Sequence, residues 1–391
     1  MKETGSNVMT GMYALTHMAV DLACAFLVYA YVTGEERWYL WLLVYNFCAF
    51  AMQMPIGAAA DFLDRNGCVA AGGCIGVLAG LGLGAAGYPA WAVVAAGLGN
   101  ACFHVGGGID VLNLSGGRAA PLGVFVAPGA LGICLGGLMG KAESDAGVWI
   151  GLLMILSAAA VRAAAGRYGL WRRSGNAPVS FVPAGSVGDA SVSVTLGSVG
   201  HAPASVTLGS VGHAPARGIR VRPLVAAGCF LAAVVLRSFS GMVQSFPWSG
   251  TMAESAWLLM AAVVLGKMSG GILGDLMGIR QAVLYSMGAA ALGFLCLVYP
   301  VTGVMAVFCW NMSMPLTLWA VSRAFPGAKG FGFGLLTFGL FLGFCPVYLE
   351  GSRWQSGAGF WSGTVSSPVG MALMALVSLL LLRWGLRQVP E

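Results

Sequence analysis

Charge is what this sequence has least of. Lys, Arg, Asp and Glu make up 9% of its 391 residues, against about a quarter in a soluble domain. So few charges cannot cover one water-soluble globule of this length. A cytosolic enzyme, a nucleic-acid binder and a disordered chain are therefore excluded. Other signatures are missing too. The ten cysteines contain no CxxC pair. Those such as Cys24, Cys102 and Cys309 lie in or beside apolar stretches, where a thiol behaves as a small hydrophobe. No disulfide, metal ion or cofactor is expected of them. No GxxxxGK[ST] loop is present, which excludes ATP hydrolysis by that route. The alternating segments of a membrane β-barrel are absent. The sixty glycines follow no collagen period and sit inside apolar runs. The first apolar stretch holds His17 and Asp21, follows a single Lys and has no small-residue cleavage site. It reads as a span and not as a signal peptide.

What is there is hydrophobic: 58% of residues, with a mean hydropathy of +0.83. Only closed backbone hydrogen bonding survives in lipid, so the fold class is an all-α polytopic membrane protein. At about 20 apolar residues per span, twelve stretches qualify: 10–32, 38–60, 68–87, 89–113, 119–140, 147–165, 223–245, 254–274, 281–299, 301–322, 330–349 and 367–385. An even number of spans puts both termini on one side. That side collects fifteen basic residues, Arg65, Arg118, Arg280 and Lys329 among them, whereas the other has Arg37, Lys141 and Arg353. The excess predicts cytoplasmic termini in a multi-pass cell-membrane protein, the inner membrane in a bacterium. The net charge of +6 is then a topology signal and needs no nucleic-acid partner.

Residues 166–222 break the pattern with Ser, Gly, Val and Pro. Within them SVTLGSVGHAPA occurs twice unchanged, at 193–204 and 205–216. We read this as a low-complexity cytoplasmic linker that tolerates duplication, with no metal role for His201 and His213. It separates a six-helix bundle at 1–165 from another at 223–391. The halves repeat each other. Gly57-x3-Asp61 and Gly271-x3-Asp275 are offset by 214 residues, and the same offset carries Ser115 onto Lys329. Such 6+6 repeats typify secondary transporters, whose sites lie between the halves near the bilayer midplane. The glycine lets helices approach, and the Asp can meet the positive N-terminus of a neighbouring helix.

The pattern Gly271-x3-Asp275-x2-Gly278-x-Arg280 resembles the loop signature of the major facilitator superfamily. In the N-terminal copy Asp61, Asp64 and Arg65 carry it with extra residues. The resemblance implies two pseudo-symmetric six-helix bundles, alternating access and a gating role for these residues. Thr16-His17-x3-Asp21, Phe103-His104 followed by Ser115-Gly-Gly-Arg118, and the glycine-rich stretch Phe125 to Gly137 resemble the fosmidomycin-resistance branch. That branch implies proton-driven export of a small organic compound by a monomer. The acidic and basic residues that usually follow Phe-His in that branch are here Gly106 and Ile109.

Ionisable residues inside spans are costly and are functional candidates by default. His17 and Asp21 are four apart on one helix face, and the pair is expected to carry a coupling proton or orient substrate. Arg237, midway along the seventh span, always stays charged; we expect it to bind Asp21 or a substrate anion in alternation. His104 and Asn311 complete the expected substrate and proton pathway. Asp61, Asp64, Arg65, Asp110, Arg118, Lys267, Asp275 and Arg280 are expected at the cytoplasmic gate. Gly132-x3-Gly136 and Gly339-x3-Gly343 read as helix-packing faces. An uptake permease is the alternative transport reading. A membrane enzyme using His17-x3-Asp21 lacks a second catalytic cluster, and a non-transporting sensor would bind ligand without flux.

Overall fold

The computed structural model describes residues 2–142, 145–167, 222–250, 252, 254–350 and 365–390. The linker proper, 168–221, with both copies of the repeat, lies outside the described residues. The described residues that form regular structure are helical. The N-terminal half comprises α1 (Lys2–Tyr31), α2 (Trp38–Asn46), α3 (Gln53–Leu63), α4 (Asn66–Ala85), α5 (Pro89–Leu114), α6 (Ala120–Lys141) and α7 (Gly147–Arg167). The C-terminal half comprises α8 (Arg222–Val243), α9 (Ser255–Met277), α10 (Ile279–Leu295), α11 (Pro300–Asn311), α12 (Ser313–Ala324), α13 (Lys329–Leu349) and α14 (Pro368–Arg387). Eleven spans are long and apolar enough to cross a bilayer, and α10 is a shorter apolar helix. They correspond to the twelve stretches read from the sequence.

Two spans are broken, each ahead of a proline. Between α2 and α3 the chain widens into a π-helical turn, Phe47–Ala51. Pro55 follows in the first turn of α3, and its ring would clash with the carbonyl four residues back, Ala51. Likewise α11 ends at Asn311 and α12 starts at Ser313, four residues around the carbonyl that Pro315 would meet. A third proline, Pro128, stays inside α6.

Glycines set the closest helix contacts. A Cβ on Gly132 or Gly136 would run into the backbone of Met18 or Leu22. One on Gly140 would meet Phe26 O at 2.8 Å. The glycine stripe of α6 thus lies directly on α1. On the other side of the molecule Gly343 of α13 faces Ser238 and Val235 of α8. Without a hydrophobic driving force in lipid, such backbone approach is what holds helices together.

The halves meet along two seams, α3 with α13 and α6 with α9. A Cβ on Gly57 would strike Gly330, and one on Gly334 would strike Gln53 and Met54. In the second seam Gly271 abuts Ala119 and Ala120, and Gly123 abuts the Lys267 and Met268 carbonyls. The two seams include the starts of α13 and α6, in that order.

Candidate functional site

α1 and α5 bring the mid-membrane ionisable residues together. His17 and Asp21 lie one turn apart on α1, with His17 Nε2 3.1 Å from Asp21 Oδ2. His104 of α5 places its Nε2 2.8 Å from His17 Nε2 and 3.7 Å from Asp21 Oδ1. Asn100, one turn before His104, donates from Nδ2 to Asp21 Oδ1 at 3.2 Å. The three ionisable residues are 5%, 9% and 8% exposed, in chain order, so the charge is held out of lipid. Phe125 and Phe103 pack their rings against the His17 ring, at 4.9 and 6.3 Å between centroids.

The second ring nitrogens decide the chemistry. His17 Nδ1 lies 2.8 Å from the Phe125 carbonyl, and His104 Nδ1 lies 2.9 Å from the Asn100 carbonyl. A carbonyl only accepts, so each Nδ1 carries the hydrogen. In two neutral rings both Nε2 atoms would then be bare lone pairs, facing each other beside a carboxylate. Three acceptors converging on one point repel unless a cation lies between them. A proton shared by the two Nε2 atoms satisfies the geometry, since 2.8 Å is a hydrogen-bond separation.

Local sequence builds this arrangement. Pro128 lacks an N–H and disturbs the ladder of α6. One turn upstream, the Phe125 carbonyl is turned to His17. Gly129 follows, and a Cβ there would occupy the space beside His17 Nε2 and Asp21 Oδ2. Gly129 therefore serves the cluster directly.

Two cations lie on the other half. Lys267 of α9 is within electrostatic reach of both Asp21 and Arg237 of α8. Arg237 makes no ion pair with Asp21, whose oxygens are taken by the histidines and Asn100. Its Nη1 is buried without a hydrogen-bond partner. Lys267 sits at mid-helix opposite the cluster, which corrects its expected place at the gate. Asn311 spends its amide on its own helix, donating to Val307 O at 2.8 Å.

The gate stands at the face carrying the chain ends, and it works across the halves. Asp61 accepts from the backbone N–H groups of Gly330 and Phe331, both at 2.8 Å, at the start of α13. Asp275 accepts from Ala119 and Ala120 at 2.6 and 2.9 Å, at the start of α6. Each carboxylate thus meets the positive end of a helix in the opposite bundle. Lys329 Nζ donates to Asn113 Oδ1 at 2.7 Å, and Trp319 Nε1 to Gly117 O at 2.6 Å. Arg323 covers the Trp319 ring.

Other expected gate residues make contacts inside their own half. Asp110 accepts from Tyr13 at 2.6 Å and Asn66 at 3.1 Å, tying α5 to α1 and α4. Arg118 Nε donates to Ser115 O at 3.5 Å. Arg280 donates to Leu386 O at 3.4 Å, inside the C-terminal half. Asp64 ends α3 in the left-handed region, φ 50°, and Arg65 begins α4; neither bonds to the other half. Asn100, Tyr13, Asn66 and Asn113 are the residues that sequence reasoning missed. A polar side chain one turn from a mid-span His, as Asn100 is from His104, was the available signal.

No protein-family model matches the chain, and no curated protein does. Solved structures match it over its whole length. The human organic anion transporter MFSD10 aligns over 97% of this chain and 99% of its own, with a TM-score of 0.60 at 15% identity. The Escherichia coli fucose:proton symporter FucP aligns over 98% of both, at 0.56 and 12%. A bacterial homologue of the iron transporter ferroportin, in its outward-facing state, aligns over 99% and 98%, at 0.56 and 13%. At such identities the likeness concerns architecture: the chain has the major facilitator superfamily fold.

Proposed function

We propose that this protein, built on the major facilitator fold, is a secondary active transporter that couples proton movement to a small organic anion. The observation that carries the reading is the division of charge at mid-membrane. The N-terminal half holds one carboxylate, covered by two histidines that demand a cation between them. The C-terminal half holds Arg237 and Lys267 with no ion pair among the described residues, and Arg237 Nη1 is orphaned. A buried guanidinium without a partner costs several kcal/mol, and an anion seated between the halves offsets that cost. Loading or releasing the proton changes the charge that Lys267 and Arg237 face, which links the two events.

The closed gate defines the state. With Asp61 and Asp275 latched, the face carrying the termini is shut. Given the basic excess on that face, we read it as cytoplasmic. We assign the direction as export by proton antiport, and the branch as that of fosmidomycin resistance, on the residues of the first, fourth and fifth spans. Gly106 and Ile109 argue that the solute differs from a phosphonate. The protein functions as a monomer in the membrane, since one chain contains both halves of the site.

The test is flux in proteoliposomes under an imposed pH gradient, screened over phosphonates, other organic acids and hydrophobic drugs. Gradient-driven movement of an organic acid is expected, lost in Asp21→Asn and Arg237→Gln and retained in part by Arg237→Lys. Unchanged gradient-driven flux in Asp21→Asn would sink the proton assignment. Movement of neutral or cationic drugs alone would sink the anion assignment.

A further inference from the structure

The cluster of His17, Asp21 and His104 is built to hold more than a proton. We propose that it is a binding site for one divalent transition-metal ion of the zinc class, which competes with the proton between the two histidines. The inference rests on the cation-binding character assigned to this cluster above.

Three observations carry it. First, one donor atom from each residue lies within 4.8 Å of the others. A tetrahedral zinc centre with bonds of about 2.0–2.1 Å holds its ligands roughly 3.3–3.4 Å apart. The pair separations here are 2.8 Å between the two Nε2 atoms, 3.1 Å from His17 Nε2 to Asp21 Oδ2 and 3.7 Å from His104 Nε2 to Asp21 Oδ1. Seating an ion requires the two rings to part by about half an ångström. Second, both imidazoles already have their outer shell in place. Metal-ligating histidines almost always donate the other N–H to a carbonyl, carboxylate or water. Phe125 O and Asn100 O fix both Nδ1 hydrogens and aim both Nε2 lone pairs inward. A histidine pair kept only for packing has no need of two such anchors converging on one point. Third, only glycine at 129 admits both of these donors, since a Cβ there would collide with His17 Nε2 and Asp21 Oδ2.

The donor set names the ion class. Two imidazoles with one carboxylate suit zinc and its neighbours, whereas calcium and magnesium require oxygen shells. Three protein ligands leave a fourth position for water or another exchangeable ligand. The surrounding titratable groups are Cys24, Cys74 and Tyr45 on the same half, with Lys267 and Arg237 across the interface. Those two cations oppose a dication, and Asp21 offsets one charge. The site therefore suits an exchangeable ion and not a permanent structural one.

The experiment uses the full chain, purified without a histidine tag and carrying His201→Ala and His213→Ala. His17 and His104 are then its only histidines. Zinc binding is measured by calorimetry and by X-ray absorption at the zinc edge. One ion per chain is expected, with two imidazole ligands, no sulfur, and an affinity rising about tenfold per pH unit while one proton is displaced. His104→Gln, monodisperse by size exclusion, should weaken binding at least tenfold, since even outer-shell changes cost about that much. No binding, a sulfur ligand, or equal affinity in His104→Gln overturns the proposal. If that variant does not fold, the ligand count in the absorption spectrum decides. Zinc binding without gradient-driven flux would sink the transport reading and leave the site. Gradient-driven flux without zinc binding would do the reverse.

Discussion

Asn100 is the side chain on which the mid-membrane cluster turns. Its amide donates to Asp21, and its carbonyl accepts from His104 Nδ1, so one residue orients both the acid and a ring. Asn100→Leu keeps the size and the carbonyl but removes the donor. Gradient-driven flux is expected to fall about tenfold, the effect of losing one hydrogen bond to a charged group. The check is initial rate at matched protein, with size-exclusion profiles unchanged. Gly129→Ala is a harsher test. It drives a methyl into His17 Nε2 and Asp21 Oδ2, and should abolish coupling at pH values where the wild-type chain is active. Sequence reasoning identified His17, Asp21 and His104 because ionisable groups in an apolar run stand out. It did not find Asn100, a neutral amide whose only signal was its place one turn before His104. The meeting of His104 with His17 across 87 residues is a property of packing, which no local spacing encodes. The fate of Arg237 was half legible: its charge was plain, and its lack of a carboxylate was not.

At the scale of elements, prolines and glycines place the chemistry. Pro55, Pro315 and Pro128 each disturb a span, and the first two breaks could be located in advance from the rule that a proline evicts the carbonyl four residues back. The π-helical form of the first break could not, because it depends on how α13 packs against that turn. Gly132→Leu should be among the most damaging changes away from the cluster. Its side chain has only the Met18 carbonyl to occupy, and overpacking of this kind costs about 1–3 kcal/mol. Lower yield of monodisperse protein and a lower thermal midpoint are the expected readings. The latches give a conformational prediction. Asp275→Ala removes two charge-assisted hydrogen bonds at a helix N-terminus, worth roughly 1 kcal/mol. The closed state should lose about fivefold in population relative to the open one. Pulsed spin-label distances between the ends of α6 and α9 measure this, in a background without native cysteines. Unchanged distances would mean that the glycine seams alone hold the gate.

For the whole molecule, composition was enough to give the class, and the lengths of the apolar runs to give the twelve spans. Apolar length and charge scarcity are global quantities that survive any error in local boundaries. The seams between the halves were less legible. Only the 214-residue offset of Gly57-x3-Asp61 and Gly271-x3-Asp275 hinted that the same contact would be made twice. Deleting one copy of the tandem repeat, residues 205–216, should leave initial flux within about twofold, as expected for an insertion-tolerant linker. A large loss would assign that segment a role in coupling the halves. One feature of the latches bears on how such a chain can change over time. Asp61 and Asp275 bond to main-chain N–H groups, which every residue except proline supplies. Chemistry therefore asks of positions 119, 120, 330 and 331 only that they are not proline; packing asks more, since Ala119 is buried and a Cβ on Gly330 would strike Gly57 and the Asp61 carboxylate. A lock that asks of its partner a main-chain N–H and a small residue, and no particular functional group, can persist while much of the surrounding sequence is replaced, and a lineage can keep its gating as its text becomes unrecognisable.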